Sequence, residues 1–204
     1  HPEVSLDFRR VREALANGYE RPFLLIDPDI IRAKYRRFLA AMPRVRPHYA
    51  VKANPDPRVV GVLAQEGSGF EIASVAALDM LLSLGIAAAD VHYSNPVKSR
   101  AYIRYAADKG VEWFALDSVE ELRKIHDVKS DARLYLRMDV PNVGSDWPLS
   151  GKFGAQPAEA EHILDVAAAI GANLCGVTFH VGSQCRIADN WRAAIDGATR
   201  IFRR

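Results

Sequence analysis

Six polar residues each close a short apolar or mixed run: Lys52, Glu71, Asn95, Asp117, Arg137 and His180. Together they offer an amine, two carboxylates, an amide, a guanidinium and an imidazole. Lys52 lies within His48–Tyr49–Ala50–Val51–Lys52–Ala53–Asn54, among largely apolar or compact neighbours. A lysine held in such surroundings loses solvation, which favours its neutral form. A neutral amine attacks carbonyl carbon and forms a Schiff base. A strand-end lysine that extends its ammonium to water is the plainer alternative. His180 ends the run Gly176–Val177–Thr178–Phe179–His180 and is followed by Val181–Gly182–Ser183. An imidazole there can stack on a flat ring or shuttle protons. Gly182 and Ser183 offer backbone N–H groups and a hydroxyl to an anion. A satisfied buried histidine is the alternative. Arg137 can hold a carboxylate or phosphate with its fork of donors. Glu71 can pair with Arg137 or Lys52, and a structural ion pair at a rim explains both equally well. Asp117 precedes Ser118 and reads as a helix-start residue. Asn95–Pro96 reads as a turn.

These positions need a scaffold, and the chain's periodicity supplies one. Strand-like runs fall at His48–Ala53, Gly69–Ala73, Val91–Asn95, Trp113–Asp117, Arg133–Met138 and Gly176–Val181. Helical patterns fill the gaps, from Arg58–Glu66 through Val75–Leu84, Ser99–Lys109, Val119–Asp127 and Ala158–Ile170, with a last one from Ala188 to the chain end. Upstream, a helix-like piece precedes a brief strand at Phe23–Ile26, and Asp27 caps a helix with Pro28 at its first position. Ile31, Tyr35, Phe38 and Met42 step along that helix and predict one buried face. Ser118 and Glu121 fit a capping box, and Gly67, Gly85, Gly110 and Gly171 sit at helix C-termini.

Strands that alternate with helices predict a parallel α/β sheet. A parallel eight-unit TIM-type (β/α)8 barrel takes about 250 residues and places its chemistry at the C-terminal strand ends. Residues 48–204 supply about six units, so the expectation is an incomplete barrel, with an open doubly wound sheet as the alternative. The glycine-rich dinucleotide fingerprint is missing, which weakens a nucleotide-binding version of that sheet. The chain divides into an N-terminal segment, 1–46, and a partial barrel, 47–204. Val143–Gly154 holds three glycines and Trp147, and suits a lid beside the rim or a plain connection. Trp113–Phe114 and Tyr102–Tyr105 read as core or helix-face residues.

The 204 residues are 49% hydrophobic and 25% charged, with a net charge of +2. That is ordinary globular composition. It carries no basic stripe for nucleic acid, and no apolar run long enough for a membrane span. His1–Pro2–Glu3 opens a polar stretch with no secretory core. Cys175 and Cys185 have no zinc spacing and are too few for a disulfide scaffold. Cys175 reads as a small core hydrophobe, Cys185 as lacking a partner. No metal site is expected, and a reduced, cytoplasmic protein is.

Taken in order, several segments resemble the ornithine/diaminopimelate/arginine decarboxylase family of pyridoxal-phosphate enzymes. They are Pro22–Phe23, Tyr49–Asn54, Gly69–Ser74, Asn95–Lys98, Lys152–Gly154 and His180–Ser183. Gly69–Ser74 and Asn95–Lys98 look most like the ornithine decarboxylase branch. The resemblance implies a barrel plus a β-domain built from both chain ends, to which Phe23–Ile26 contributes. It implies pyridoxal 5'-phosphate carried covalently on Lys52, His180 stacked on its ring and Ser183 at its phosphate. Ala50, Glu71 and Arg137 match positions lining the cofactor pocket, with Glu71 one methylene longer than the aspartate common there. The implied reaction is decarboxylation of a basic amino acid, ornithine to putrescine in polyamine biosynthesis, by a homodimer when full length. Lysine or diaminopimelate decarboxylases and a non-catalytic regulatory protein share the pattern. The family's later glycine-rich phosphate loop, ring-nitrogen glutamate and cysteine motif have no match, so the expectation is part of a longer enzyme.

Overall fold

A computed structural model describes residues 7–18, 22–149 and 151–204; the opening His1–Pro2–Glu3 stretch lies outside them. Helices α1 (Phe8–Ala16) and α2 (Pro28–Ala41) come first. Then follow β1 (His48–Ala50), α3 (Pro57–Gln65), β2 (Gly69–Ile72), α4 (Val75–Ser83), β3 (Val91–Tyr93), α5 (Arg100–Asp108), β4 (Trp113–Leu116) and α6 (Val119–Val128). The chain continues through β5 (Arg133–Met138), β6 (Ser145–Trp147), α7 (Pro157–Ile170), β7 (Leu174–Phe179), β8 (Ser183–Cys185) and α8 (Ala188–Phe202). Strands β1, β2, β3, β4, β5 and β7 pair in that order, all parallel, while β6 and β8 form a separate antiparallel pair. This is the expected α/β architecture. Among the described residues the sheet is open, with β1 and β7 at its edges.

Side chains along a strand alternate between faces. On one face stand Phe70, Ile72, Val91, Tyr93, Phe114, Leu116, Leu134 and Leu136, each at most 2% exposed. They pack under the helices with Leu78, Leu81, Ile103, Leu122, Ile125 and Ile163. The other face carries the intervening residues, whose register sets Ala50 beside Glu71, Glu71 beside His92 and His92 beside Trp113. Their rings meet there: His48 lies 4.3 Å from His92, His92 stacks on Trp113 at 4.9 Å, and Tyr135 tilts in at 5.7 Å from His92. A Cβ at 69 would stand 2.5 Å from the His48 ring, so glycine there leaves room for that ring to lie against β2.

Several expectations need correction. Phe23–Ile26 forms no strand among the described residues, and Leu24 is 80% exposed. The α2 stripe splits: Tyr35 is buried, but Phe38 and Met42 are exposed, since α2 packs on α3 and nothing described covers its far end. Ser118 Oγ accepts from Glu121 N at 3.1 Å, yet the Glu121 carboxylate turns to Lys98 instead of closing the capping box. Cys175 is exposed, being near the start of an edge strand, and Cys185 Sγ does have partners, Ile187 O and Asn190 Nδ2. The four helix-end glycines all take the left-handed conformation they were expected to supply. No described helix is long and apolar enough to cross a membrane.

The inner face carries a pH dependence. Burial holds His92 at about 4, well below the usual 6.5, and lowers His48 too, where the Arg46 charge adds to it. Folded, His92 stays neutral until about pH 4; unfolded, it takes up a proton below pH 6.5. The unfolded state therefore gains protons as pH falls from 6.5 to about 4, and stability drops across that window. Urea midpoints should fall over this range, and fall less steeply in His92→Leu. Parallel pH profiles for parent and variant would contradict this.

Candidate active site

A cleft of about 160 Å³ opens where the strands end, lined by Lys52, Glu71, Ser94, Asn95, Arg137 and His180, with Leu149, Lys152 and Phe153 across from them. Five of the six rim residues therefore meet in one place. A larger hollow of about 400 Å³ lies between Phe23–Pro28 and α3, but its walls are mainly apolar and its charged residues, Asp56 and Arg58, are already paired at 2.6 Å.

Lys52 is not on a strand. β1 stops at Ala50, and Val51–Ala53 coils into a 3₁₀ turn with Val51 1% exposed. Tyr49 Oη donates to Asn54 O at 3.2 Å and secures the turn's exit. The buried valine anchors the turn, and Lys52 is exposed at the cleft. The desolvation expected from its apolar flanks is thus not supplied by the described residues. Lys52 makes no hydrogen bond or ion pair among them, so its amine is free for a ligand.

Burial lowers the pKa of Arg137 from the usual guanidinium value, opposed by the charges of Asp117, Glu71 and Asp139. None of these comes within salt-bridge distance among the described residues, so the expected Arg137–Glu71 or Lys52–Glu71 pair is absent; the guanidinium instead lies 5.3 Å from the Phe153 ring centre. A half-buried, unpaired guanidinium is a ready anion partner. His180 titrates below the usual 6.5 because of burial first, then the cations of Arg137 and Lys52. Its Nδ1 accepts from Gly182 N at 3.0 Å. That bond fixes the ring's tilt and leaves the proton of the neutral imidazole on Nε2. It also consumes the Gly182 N–H that had been expected to face an anion. Ser183 lies on β8, exposed and opposite Trp147, and is not among the cleft-lining residues. Ala50 ends β1 beside Glu71.

Asp117 serves elsewhere than at the helix start. Its Oδ2 accepts from Gly154 N at 2.9 Å and pins the end of the Val143–Gly154 segment. Ala155 N then donates to Arg137 O at 2.8 Å, docking the segment on β5. Near its start, β6 pairs with β8. The segment is a strap tied at both ends, bringing Lys152 and Phe153 to the cleft. Sequence reasoning missed the floor: Ser94 Oγ and Tyr135 Oη stand 2.9 Å apart, with Tyr135 buried. Its signal was present, since Tyr135 precedes Arg137 by two residues and so shares its face. Lys98, 3% exposed, was also missed.

Fold and cleft define a barrel-type parallel α/β unit whose chemistry sits at the C-terminal strand ends. The chain belongs to the pyridoxal-dependent decarboxylases: residues 29–204 match the family's pyridoxal binding domain. It is 37% identical over 180 residues to the ornithine decarboxylase of Schizosaccharomyces pombe, covering 88% of this chain and 42% of that protein. It is 38% identical over 174 residues to antizyme inhibitor 2 of Xenopus laevis, covering 85% of this chain and 38% of the other. The arginine decarboxylase of Paramecium bursaria Chlorella virus, solved with agmatine, superposes with a TM-score of 0.92 at 28% identity, over 96% of this chain and 53% of that one. The chain thus spans roughly two-fifths to half the length of these relatives. The cleft residues fit pyridoxal phosphate: a free amine for its aldehyde, an oriented imidazole for its flat ring and an unpaired guanidinium for an anion.

The strap gives a direct test. Gly154 has φ +105°, and a Cβ there would lie 2.5 Å from Asp139 N and 2.7 Å from Met138 C. Gly154→Ala should cost about 2–4 kcal/mol in a urea titration. An unchanged midpoint would show that the strap is not docked as described.

Proposed function

We propose that the protein is a pyridoxal-phosphate-dependent decarboxylase of a basic amino acid, with ornithine, giving putrescine, as the first substrate to test. The observation carrying this reading is the unpaired Lys52 amine sharing one cleft with an oriented His180, an unpaired Arg137 and an unpaired Glu71. The similarity to ornithine decarboxylase over most of the chain supports the substrate choice.

When bound, pyridoxal phosphate supplies an electron sink for the bond to carbon that breaks. Lys52 would hold the cofactor through Nζ, and its amine would carry a proton at that atom when free. His180, its tilt set by Gly182, presents a flat neutral face to the cofactor ring. Arg137 would give positive charge to an anionic end of the cofactor, and Ser183, which follows the His180 turn outside the cleft lining, would need to reach it from β8. Glu71 keeps negative charge near the Lys52 side, and Ala50 leaves room beside it. Phe153 and Leu149 exclude water from the far wall. The reading includes a homodimer, a cytoplasmic location and a division near residue 46 between an N-terminal segment and the cofactor-binding unit.

The similarity to antizyme inhibitor 2 favours one second reading, a regulatory protein without turnover. Carboxyl-labelled ornithine, lysine and diaminopimelate, each incubated with the full-length protein, separate the two. CO2 release should be fastest with ornithine and fall about a thousandfold or more in Lys52→Ala. Release that survives in Lys52→Ala, or no release from any of the three, contradicts the proposal; no release together with no bound cofactor points to the regulatory reading.

A further inference from the structure

Lys98 is the most completely buried cation in the described chain, its side chain 0% exposed. An ammonium has three donors, and here each has an acceptor. Nζ donates to Asn95 O at 2.7 Å and to Ala115 O at 2.6 Å, and it faces Glu121 Oε1 at 3.0 Å. The same carboxylate oxygen accepts from Lys98 N at 3.2 Å, and Glu121 also pairs with Lys124. The ammonium lies 5.6 Å from the centre of the Tyr93 ring. Burial pulls Lys98 down to about 8 against an ordinary 10.5, with Glu121 opposing, so it remains mostly charged at pH 7.

A buried ion pair is weak evidence of stability, because desolvation offsets the attraction, and an apolar pair of similar volume often does as well. What an apolar pair cannot supply is direction. Lys98 draws together two carbonyls just where β3 and β4 give way to loops. One belongs to Asn95, which lines the cleft next to Ser94, just past the end of the strand that neighbours β2. Asn95 Nδ2 donates to Val97 O at 2.6 Å, closing the turn between Asn95 and Lys98.

We propose that Lys98, held by Glu121, is a positioning residue: it fixes the Asn95 backbone, and with it the β3 wall of the cofactor cleft. This deepens the proposed function and rests on it. Lys98 does not touch the cofactor; loosening it lets the Ser94–Asn95 wall move, and cofactor binding suffers while the core survives.

The test uses full-length protein with added pyridoxal phosphate, reading the melting temperature, the cofactor dissociation constant and the circular dichroism of the bound cofactor. Glu121→Leu alone strands the buried Lys98 ammonium and should lower the melting temperature by about 10 °C, and Lys98→Met, which leaves Glu121 its Lys124 partner, by less. The double variant Lys98→Met/Glu121→Leu leaves no stranded charge and should recover part of that loss, short of the parent because Asn95 O and Ala115 O lose their donor. It should still bind cofactor about tenfold more weakly, with altered dichroism. Val97→Gly loosens the same turn from an exposed position, 56% accessible, without touching the ion pair. It should weaken cofactor binding severalfold at an unchanged melting temperature, and it decides the matter alone if the double variant does not fold. Parent-like affinity and dichroism in either folded variant overturn the proposal, leaving the pair a packing feature. Lys52→Ala is measured alongside. If it keeps the visible band of covalently bound cofactor, the reading of the cleft fails, whatever the Lys98 variants show.

Discussion

The constraint on which the molecule rests is the two-residue alternation of its parallel strands. One face must be apolar, because helices cover it. The other is left for whatever the strand ends require. Sliding one strand by a residue would put Phe70 and Ile72 inside and turn Glu71 into the helix layer, leaving a carboxylate buried without a partner. The hydrophobic pattern that drives folding therefore also decides which side chains reach the cleft. Glu71, Arg137 and Thr178 are there because Phe70, Leu136 and Val177 are not.

Two lysines show how one side-chain type takes opposite roles. Lys98 is enclosed with every donor satisfied, so its ammonium behaves as a bracket between strand ends. Lys52 stands exposed on a tight turn with no partner among the described residues. Its environment leaves chemistry open where that of Lys98 closes it. The cleft also keeps Arg137 and Glu71 apart. A mutual ion pair would have neutralised both; separated, they leave a cation and an anion for two different parts of a ligand.

Much of this was legible in the sequence, and the rest was not for physical reasons. The six main strands and their helices follow from runs of apolar residues bounded by caps and left-handed glycines, and the strand ends name Lys52, Glu71, Arg137 and His180. Pairing partners are another matter. Phe23–Ile26 has strand composition but forms no strand among the described residues. Ser145–Trp147 and Ser183–Cys185 lack that composition, yet meet because the strap folds back over the cleft. The 3₁₀ turn that presents Lys52 was hidden, since Val51 and Ala53 suit a strand equally well. Hydrogen bonds across 37 residues, such as Gly154 to Asp117, carry no local signal. Nor does the closure of Gly182 N–H onto His180, which depends on the conformation of the turn.

The account stands on Lys52 being the covalent anchor for pyridoxal phosphate, and reductive trapping asks this most directly. The full-length protein, loaded with the cofactor and reduced with borohydride, is digested and its peptides are weighed. A pyridoxyl mass on the peptide containing Lys52, and on no other lysine, is the predicted result. Label on Lys98, on Lys152 or on no peptide would contradict it.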